Sequence, residues 1–435
     1  MKQSEPNLME KIVSLAKRRG FVFPGSEIYG GLANSWDYGP LGVELRNNIK
    51  QLWWKMFVHS REDMVGIEAA LIMNSKVWEA SGHLAEFTDP LVECKKCHER
   101  FRADHIDLSA ACPNCKEKGY FTTPKNFNMM LKTFLGPAEE EANTVYFRPE
   151  TAQAMFVQFK NVLQTSRKRL PFGIAQIGKA FRNEITPGNF IFRTREFEQM
   201  EIEYFIREGE WETHFEAWRK SMHEWIKAVG IDESKVHELE IPDGERAHYS
   251  KRTMDFEFDY PFGQKELYGL AYRGDFDLKN HETASGENLK YRDPETNEEL
   301  LPHVIEPTWG VDRTLLAVLL SSYEEDGERV FLKLPPKIAP YKAAIFPLLA
   351  NKPELIDFAR TIYTDLQKHF PVMWDDRGNI GKRYYSQDEI GTPFCITVDF
   401  DSLEKQDVTV RFRDMGTQER IPIKELVSFI TTRLM

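Results

Sequence analysis

The sequence is poor in cysteine and has no long hydrophobic run. Five of its 435 residues are cysteines, and no apolar stretch approaches the ~20 residues that a membrane-spanning helix requires. The charged N-terminal segment does not have the pattern of a secretory signal peptide. These absences argue against a membrane partner and predict a cytoplasmic location.

Positive charge is scarce as well. Lysine and arginine total 57 against 68 aspartates and glutamates, which gives a net charge of −11. This balance excludes a surface that is basic overall, but it does not exclude a nucleic-acid partner that binds a local patch. Each candidate patch is individually more typical of a solvated face; the candidates are Lys17–Arg19, Arg167–Arg169, Lys382–Arg383, and Arg411 with Arg413.

Four of the five cysteines form one cluster of two Cys-x-x-Cys pairs, at Cys94, Cys97, Cys112 and Cys115. Two such pairs at this separation are typical of a tetrahedral zinc site. Four thiolates leave no open coordination position, so the predicted zinc is structural. Two disulfides are the alternative, which a reducing cytoplasm disfavours. Cys395 lies in an apolar run and is predicted to be an inert core residue.

What the sequence does contain is a stretch at 181–205 that mixes arginine, glutamate and phenylalanine. A strand ending near Phe181, a loop with Pro187 and Gly188, and alternating polar and apolar residues after it predict an antiparallel hairpin. Guanidinium groups suit phosphate oxygens, a carboxylate suits an exocyclic amine, and an aromatic ring suits a base. The stretch therefore predicts a nucleoside triphosphate site, with a salt-bridged hairpin at a domain interface as the alternative.

A second segment, His303–Arg313, favours the nucleotide interpretation. It reads as a short strand and a turn before a strongly apolar helix, Thr314–Tyr323. Arg313 lies in the first turn of that helix, where the helix dipole alone disfavours a cation. A phosphate bound at the helix N-terminus would explain the arginine. An arginine that extends to a surface carboxylate is the alternative.

The remaining patterns predict an α+β fold, in which helices flank an antiparallel sheet. Thr253–Tyr260 alternates as a half-buried strand does, Leu8–Arg19 has the spacing of an amphipathic helix, and Pro40 begins a long helix to about His59. Three prolines mark a boundary at about 334–341, beyond which strands and helices alternate as a small α/β domain. The chain is long enough for two or three such domains.

Several motifs carry a resemblance to a known family. Arg182–Glu184 with Arg195–Phe197 resembles motif 2 of the class II aminoacyl-tRNA synthetases, and Gly310–Arg313 resembles motif 3. Longer strings are similar to the homodimeric glycyl-tRNA synthetase family, and these are Arg148–Gln153, Phe181–Phe205, Glu266–His281 and Ile305–Arg313. The resemblance implies that the chain activates glycine with ATP and transfers it to the 3′ end of tRNA(Gly).

The resemblance also implies an architecture. A class II catalytic domain is expected over residues 1–334, with a zinc-binding insert at 91–122, and an anticodon-binding domain over 335–435. Class II enzymes build their dimer interface from a helix such as the one that Pro40 begins, so a homodimer is expected. The expected partners are glycine and tRNA(Gly), with ATP as a substrate and Mg²⁺ and structural Zn²⁺ as cofactors.

Roles for single residues follow from the resemblance. Arg182 and Arg313 are the expected catalytic residues, with Arg182 on the α-phosphate and the substrate carboxylate and Arg313 over adenine near the γ-phosphate. Glu184 accepts from the adenine amine, Phe197 stacks on adenine, and Glu266 carries Mg²⁺. The expected ATP-binding set is Arg182, Asn183, Glu184, Phe192, Arg193, Thr194, Arg195, Glu196, Phe197, Glu266, Leu267, Gly310 and Arg313.

A second set of residues is expected around the amino acid. Glu150, Glu201 and Glu306 surround the glycine ammonium, which makes physical sense because glycine has no side chain to recognise. Arg102 resembles a family arginine that reaches the substrate, and pairing with an acidic neighbour is its alternative. The expected substrate-binding set is Arg102, Glu150, Phe197, Gln199, Glu201, Glu306, Thr308 and Gly310.

The implied chemistry needs no covalent enzyme intermediate, and the sequence has no convincing Ser/His/Asp or Cys/His arrangement. Catalysis is expected to depend on positioning and on stabilising the charge of an in-line displacement. Arg193 and Arg195 are expected to serve the phosphates or to brace Glu196.

Two positions depart from the family pattern. Thr308 stands where the family usually has serine, and Gln264-Lys265 where it usually has Trp-Gly. With Gly269 and Ala271, Thr308 is expected to form a wall that excludes alanine. Other interpretations are another class II synthetase, a non-catalytic accessory subunit with this fold, and a zinc-containing adaptor. The presence of the motif arginines argues against the last two.

Overall fold

A seven-stranded sheet forms the centre of the computed structural model, which describes residues 7–137, 139–140 and 143–434. Its strands are β1 (Met64–Gly66), β2 (Phe172–Phe181), β3 (Glu196–Ile206), β4 (Val236–Glu240), β5 (Arg252–Tyr260), β6 (Gly263–Gly274) and β7 (His303–Gly310). Their order across the sheet is β4-β5-β6-β7-β3-β2-β1. Strand β1 runs parallel to β2, and the other neighbouring pairs are antiparallel.

One face of this sheet packs on helices. They are α1 (Leu8–Arg19), α2 (Pro40–Trp54, which continues as a π-helical turn, Lys55–His59), α3 (Trp211–Val229) and α5 (Val311–Ser322). Helix α4 (Phe276–Ser285) comes between α3 and α5 in the chain but packs on the opposite face. The helices form where apolar residues repeat at helical spacing, as in the buried stripe Phe215, Trp218, Met222 and Ile226 of α3. At the centre of this core the rings of Trp53 and Phe57 contact Trp309 of β7.

The opposite face of the sheet is covered only in part. Helix α4 and the short helices Ala152–Val157 and Phe159–Ser166 pack there on a smaller apolar cluster that includes Phe172 and Phe205. Residues 72–147 supply two small sheets, of strands Ile72–Met73, Thr144–Phe147 and Lys132–Phe134, and of strands Arg100–Arg102, Thr88–Glu93 and Lys125–Asn128. Between these elements lie the short helices Ser75–Ala80 and His83–Glu86. The uncovered part of the face is open to ligands.

The C-terminal region has a sheet and a core of its own. Its strands are β8 (Ala343–Pro347), β9 (Val372–Trp374), β10 (Phe394–Val398), β11 (Asp407–Phe412) and β12 (Gln418–Pro422), in the order β9-β8-β10-β11-β12. Its helices are α6 (Pro353–Leu366), α7 (Ile380–Glu389), α8 (Phe400–Lys405) and α9 (Leu426–Leu434). Buried Asp388 of α7 accepts from Arg411 of β11 and from Arg329 of the preceding region, at 2.7–2.9 Å.

The predicted α+β class is confirmed, and the helix Leu8–Arg19 has the predicted ends. One boundary is wrong: the apolar helix begins at Val311, not at Thr314, and no turn separates it from β7. Because Asp312 and Arg313 are polar, the hydrophobic pattern did not include the first turn of this helix.

No helix in the described ranges has the length and apolarity needed to span a bilayer. Of the expected domains, residues 1–6, 138, 141–142 and 435 lie outside the described ranges.

Candidate active site

A cavity of about 440 Å³ lies on the partly uncovered face of the central sheet, over β3, β5, β6 and β7. Successive side chains of a strand point to opposite faces. Along β3, Phe197, Gln199 and Glu201 therefore line the cavity, while Met200 and Ile202 pack in the core beneath it. The polar residues of this predicted alternating strand therefore face the cavity, and its apolar residues face the core.

Three glutamates converge at the buried end of this cavity. Glu150, Glu201 and Glu306 all line it, and each is at most 7 % exposed. Glu201 accepts hydrogen bonds from the hydroxyls of Thr308, at 3.0 Å, and Thr151. Buried carboxylates need compensating positive charge or donors. This end of the cavity can accept a small cation with several N–H donors.

Arg273 supplies positive charge behind the glutamates. Its fully buried guanidinium donates to Glu306 at 2.6 Å and to both carboxylate oxygens of Asp277 at 2.7 and 2.8 Å. The guanidinium also lies over the ring of Tyr249, 3.7 Å from its centroid. Arg273 holds Glu306 in place, but its one positive charge is already shared between two carboxylates.

The three glutamates differ in their affinity for protons. Burial raises the pKa of Glu306 to about 8, against the lowering effect of Arg273. Burial and the nearby Glu150 also raise the pKa of Glu201. Burial acts in the same direction on Glu150, but His83, 3.3 Å away, and Arg273 hold the pKa of Glu150 well below its usual range. Glu150 is thus ionised, and the other two ionise most readily when a cation binds.

The open end of the cavity is built from arginines and aromatic rings. The guanidinium carbon of Arg182 lies 5.4 and 5.3 Å from the ring centroids of Phe87 and Phe197. That of Arg313 lies 4.5 Å from the ring of Phe192. Aromatic faces and guanidinium planes stack on bases, and guanidinium forks bind phosphates. This end can accept a nucleotide.

The carboxyl groups at the open end either form long ion pairs with arginines or lie close to another carboxyl group. Glu184 is 3.5 Å from Arg193, and its Oε2 atom accepts no hydrogen bond from any described residue. Glu266 is 3.2 Å from Arg313, which lowers the pKa of Glu266. Burial and Glu266 raise the pKa of the neighbouring Asp255 to about 7. The ionised Glu266 carboxylate can serve as an oxygen ligand for a Mg²⁺ ion.

Most of the predicted site residues line the cavity. These are Glu150, Arg182, Glu184, Phe192, Arg193, Thr194, Phe197, Gln199, Glu201, Glu266, Leu267, Glu306, Thr308, Gly310 and Arg313.

Arg195 and Glu196 were also predicted to bind ATP, but they do not line this cavity and instead border a groove on the other side of β3. The expectation that arginines brace Glu196 is wrong, because Lys179 of β2 forms that ion pair and Arg193 pairs with Glu184. Strand geometry explains the position of Glu196, since it and the cavity-lining Phe197 are successive residues of β3 and face opposite sides, whereas Arg195 precedes the strand.

Two more predicted residues lie outside the cavity lining. Arg102 bonds to Asp104, at 2.7 and 3.1 Å, and pairs with Asp89 at 2.9 Å, which is the acidic pairing weighed as its alternative. Asn183 donates its backbone N–H to the carbonyl of Met129 at 2.8 Å.

Some residues of the site carried no assignment from the sequence. Asp255 had a signal, because it lies on the polar face of an alternating strand. Arg273 lies at the end of β6, after the run Leu267–Tyr272, and nothing in that run indicated that it is fully buried beside Glu306. Tyr249 and His83 come from segments without regular periodicity, so only tertiary packing brings them to the site.

The four clustered cysteines also come together. Their sulfur atoms all lie within 4.8 Å of one another, with Cys94 and Cys115 3.7 Å apart and Cys97 and Cys112 3.8 Å apart. No disulfide joins them. A tetrahedron of ~2.3 Å Zn–S bonds has edges of about 3.8 Å. The four sulfurs therefore fit one zinc ion.

Known proteins provide an independent comparison. A family model described as the tRNA synthetase class II core domain (G, H, P, S and T) matches residues 133–323, and one described as an anticodon binding domain matches residues 342–433. A curated protein named glycine–tRNA ligase, from Alkaliphilus oremlandii, is 51% identical over 98% of both chains. Proteins of the same name from Thermobifida fusca and Lachnospira eligens are 50% and 52% identical, covering 97–98% of each chain.

The chain belongs to the glycine–tRNA ligase family. The class II core makes it an aminoacyl-tRNA ligase, and enzymes of this class use ATP and Mg²⁺. The family relationship covers nearly the whole length, from α1 to α9, as the sequence resemblance implied.

Proposed function

We propose that this protein condenses glycine with ATP to glycyl-adenylate and then transfers the glycyl group to the 3′ end of tRNA(Gly). The observation that carries the proposal is the convergence of Glu150, Glu201 and Glu306 at the buried end of a cavity whose open end has arginines and aromatic rings. An amino acid without a side chain can be selected only through its ammonium and carboxylate groups and by the space around them. The similar proteins, which are named glycine–tRNA ligases, support the same substrate.

At the buried end the three glutamates bind the glycine ammonium. Its three N–H groups match three carboxylate acceptors, and charge-assisted hydrogen bonds of this kind are among the stronger ones. Gln199, whose Oε1 atom is buried without a partner among the described residues, contributes a further acceptor. Thr308 fixes Glu201 through its hydroxyl and limits the space beside the glycine α-carbon.

At the open end the nucleotide stacks between Phe197 and Arg313. Glu184 accepts a hydrogen bond from the adenine amine through its Oε2 atom, which lies 3.5 Å from Arg193 but accepts no hydrogen bond from the described residues. Arg182, which lies over the Phe197 ring, holds the α-phosphate and the glycine carboxylate together. The other expected ATP-binding residues of the lining contact the ribose and the phosphates; they are Phe192, Arg193, Thr194, Leu267 and Gly310.

The reaction is an in-line displacement at the α-phosphorus. An oxygen of the glycine carboxylate forms the new P–O bond, and the bond to the departing pyrophosphate breaks. Arg182 and Arg313 stabilise the negative charge that the phosphate oxygens develop, so the enzyme contributes position and charge and no nucleophile. Glu266, with Asp255 beside it, holds Mg²⁺, which neutralises phosphate charge when bound.

The cysteine cluster holds one structural Zn²⁺ ion. Its support is the fit of the four sulfur atoms to a tetrahedral site. The zinc stabilises the insert at 91–122, whose short strands have few apolar contacts of their own.

Residues 335–435 form the anticodon-binding domain, and residues 1–334 form the catalytic domain. The match to an anticodon-binding family model and the separate apolar core of the C-terminal region support this division. The protein acts as a homodimer, with α2 and the following β1 at the interface. It acts in the cytoplasm, because that is where its tRNA substrate is charged.

Amino-acid-dependent ATP–pyrophosphate exchange tests this proposal. Exchange that depends on glycine, and on no other of the twenty amino acids to a comparable extent, is the expected result. Exchange with a different amino acid would mean another class II specificity. No exchange at all would favour a non-catalytic accessory subunit, which the intact set of Arg182, Glu184 and Arg313 argues against.

A further inference from the structure

A fourth glutamate, Glu203, lies behind the buried end of the cavity, beside Glu201 and Glu306 but outside the cavity lining. It is two residues from Glu201 on the same face of β3, and its side chain is fully buried. Carboxylate oxygens of Glu201, Glu203 and Glu306 lie within 4.8 Å of one another. Neither carboxylate oxygen of Glu203 has a hydrogen-bond partner in the described part of the chain. A buried and unpartnered acid in such a place requires an explanation.

The surroundings of Glu203 disfavour its charged form. Glu201 faces it from its own strand, Glu306 from β7, Arg273 from β6 and Asp277 from α4. The cation of this group, Arg273, is already bonded to Glu306 and Asp277. An ionised Glu203 would combine the cost of desolvation with repulsion from like charges. Burial, and then Glu306, raise the pKa of Glu203 well above its ordinary value.

We propose that Glu203 is a neutral carboxylic acid that positions Glu306 for the glycine ammonium by donating its O–H group to the Glu306 carboxylate when glycine binds. Glu201 already accepts from the hydroxyls of Thr151 and Thr308, so Glu306 is the neighbour that gains most from a further donor. The inference deepens the proposed function and rests on it.

Glycine binding provides the trigger for this hydrogen bond. Without a cation Glu306 tends to hold a proton, since its pKa is about 8. An arriving ammonium favours the ionised form of Glu306, and an ionised carboxylate is a strong acceptor. Arg273 and the Glu203 O–H group then hold Glu306 from behind while its free oxygen faces the substrate. Glu203 is thus a positioning residue that does not contact glycine.

Two substitutions at Glu203 distinguish the effect of its hydrogen-bond donor from the effect of its side-chain shape. Glu203→Gln keeps a neutral group of similar shape that can still donate, so glycine KM should stay within about threefold of wild type. Glu203→Leu removes the donor and should raise glycine KM about tenfold or more. The KM for ATP and kcat should change little in both variants. Glu238→Gln, at a carboxylate that pairs with Arg219 and lies outside the cavity lining, is the control.

The glycine KM values of these variants distinguish the possible roles of Glu203. If Glu203→Gln raises glycine KM as much as Glu201→Gln does, Glu203 is an ionised ligand and the proposal is overturned. If neither variant changes glycine KM, Glu203 has no positioning role and the proposal is overturned as well. Glycine-dependent exchange by the unmodified protein tests the proposed function on its own.

Infrared difference spectroscopy keeps the proposal falsifiable even if Glu203→Leu fails to fold. At saturating glycine, the ammonium should ionise Glu201 and Glu306, and Asp255, whose pKa is about 7, contributes equally to both proteins. The spectrum of wild type minus that of Glu203→Gln at neutral pH should therefore contain a protonated carboxyl C=O band from Glu203. Absence of this band from the difference spectrum would overturn the proposal without any measurement of activity.

Discussion

The two ends of the cavity are built differently. At the buried end Glu201 accepts from two hydroxyls, and fully buried Arg273 is bonded to Glu306 and Asp277, so Glu201 and Glu306 are held by other side chains before a substrate arrives. At the open end the side chains of Arg193 and Arg313 are 28% and 24% exposed, and they pair with glutamates at 3.5 and 3.2 Å.

This difference follows the chemistry of the two substrates. Glycine offers few atoms, so its selectivity requires a pocket that is fixed and closely fitted beforehand. A nucleotide offers a base and three phosphates, and side chains that become ordered on binding can still hold it, at some entropic cost. Changes at the buried end should therefore alter glycine binding, and changes at the open end should alter the chemical step.

The largest effect is expected at Arg182. Arg182→Ala removes a charge that stabilises the reacting phosphate, so glycine-dependent exchange should fall by about 10³-fold or more while the fold is retained. Arg169→Ala, at an exposed surface pair with Glu295, is the matched control. Exchange within tenfold of wild type in Arg182→Ala would remove this arginine from the mechanism.

A smaller and more selective effect is expected at Glu201. Glu201→Gln removes one of the charges that face the ammonium, and losing one partner of a buried ion pair costs roughly 2–5 kcal/mol, or about 10²-fold in glycine KM. The KM for ATP should change little, because the nucleotide binds at the other end. Equal increases in both KM values would show that the two ends do not divide the substrates.

An effect of about tenfold is expected at Thr308, since one methyl group in a packed site is worth ~1–3 kcal/mol. Thr308→Gly should raise alanine activation relative to glycine, and Thr308→Ser, which keeps a hydroxyl for Glu201, isolates the methyl group. Gly269 and Ala271 also line the cavity, and a Cβ atom added at Gly269 would meet nothing within 4 Å, so the space beside that glycine is open. An unchanged alanine-to-glycine ratio of kcat/KM in Thr308→Gly would assign the wall to other residues.

The zinc site should affect stability more than catalysis. Protein purified under reducing conditions should contain about one zinc per chain, with Zn–S distances of ~2.3 Å by X-ray absorption. Cys97→Ser should lose the metal and lower the melting temperature, yet change glycine KM little, because the four sulfur atoms lie outside the cavity lining. Absence of metal, or two disulfides, would refute the site.

The last expected effects concern the pH dependence of stability and not activity. The raised pKa of Glu306, about 8, means that its contribution is complete below the unfolded pKa and is lost as pH rises through about 8. The free energy of unfolding of wild type relative to Glu306→Gln should therefore decrease between about pH 5 and 9, by at most ~1.4 kcal/mol per pH unit.

Glu266 at the open end should behave in the opposite way. Arg313 lowers its pKa, so its contribution is present above the unfolded pKa and is lost on acidification. Parallel pH curves for wild type, Glu306→Gln and Glu266→Gln in urea unfolding would contradict the assigned charges.

Some elements of the fold were predictable from the sequence, and others were not. Helix α1 and strand β5 were predictable because their apolar periods of 3.6 and 2 are unbroken. The start of α5 was not, because Asp312 and Arg313 interrupt its apolar pattern. The resemblance to a family identified motif 2, but only the strand geometry shows that Glu196 faces away from the cavity.

The residues of the site also divide into those that the sequence indicated and those that it did not. Glu150, Glu201 and Glu306 are distant in the chain, and the resemblance to a family was needed to group them. The partners that set their charges, Arg273 and His83, escaped prediction because burial and hydrogen bonding depend on packing between segments that are far apart in sequence. A single sequence contains no local signal for such contacts.

The most direct test of the account is a crystal structure with a non-hydrolysable analogue of glycyl-adenylate, 5′-O-(glycylsulfamoyl)adenosine. The account predicts that the ammonium contacts Glu150, Glu201 and Glu306, and that adenine lies between Phe197 and Arg313. An analogue bound with its ammonium at the arginine end, or with adenine outside this stack, would contradict the division of the cavity between glycine and nucleotide.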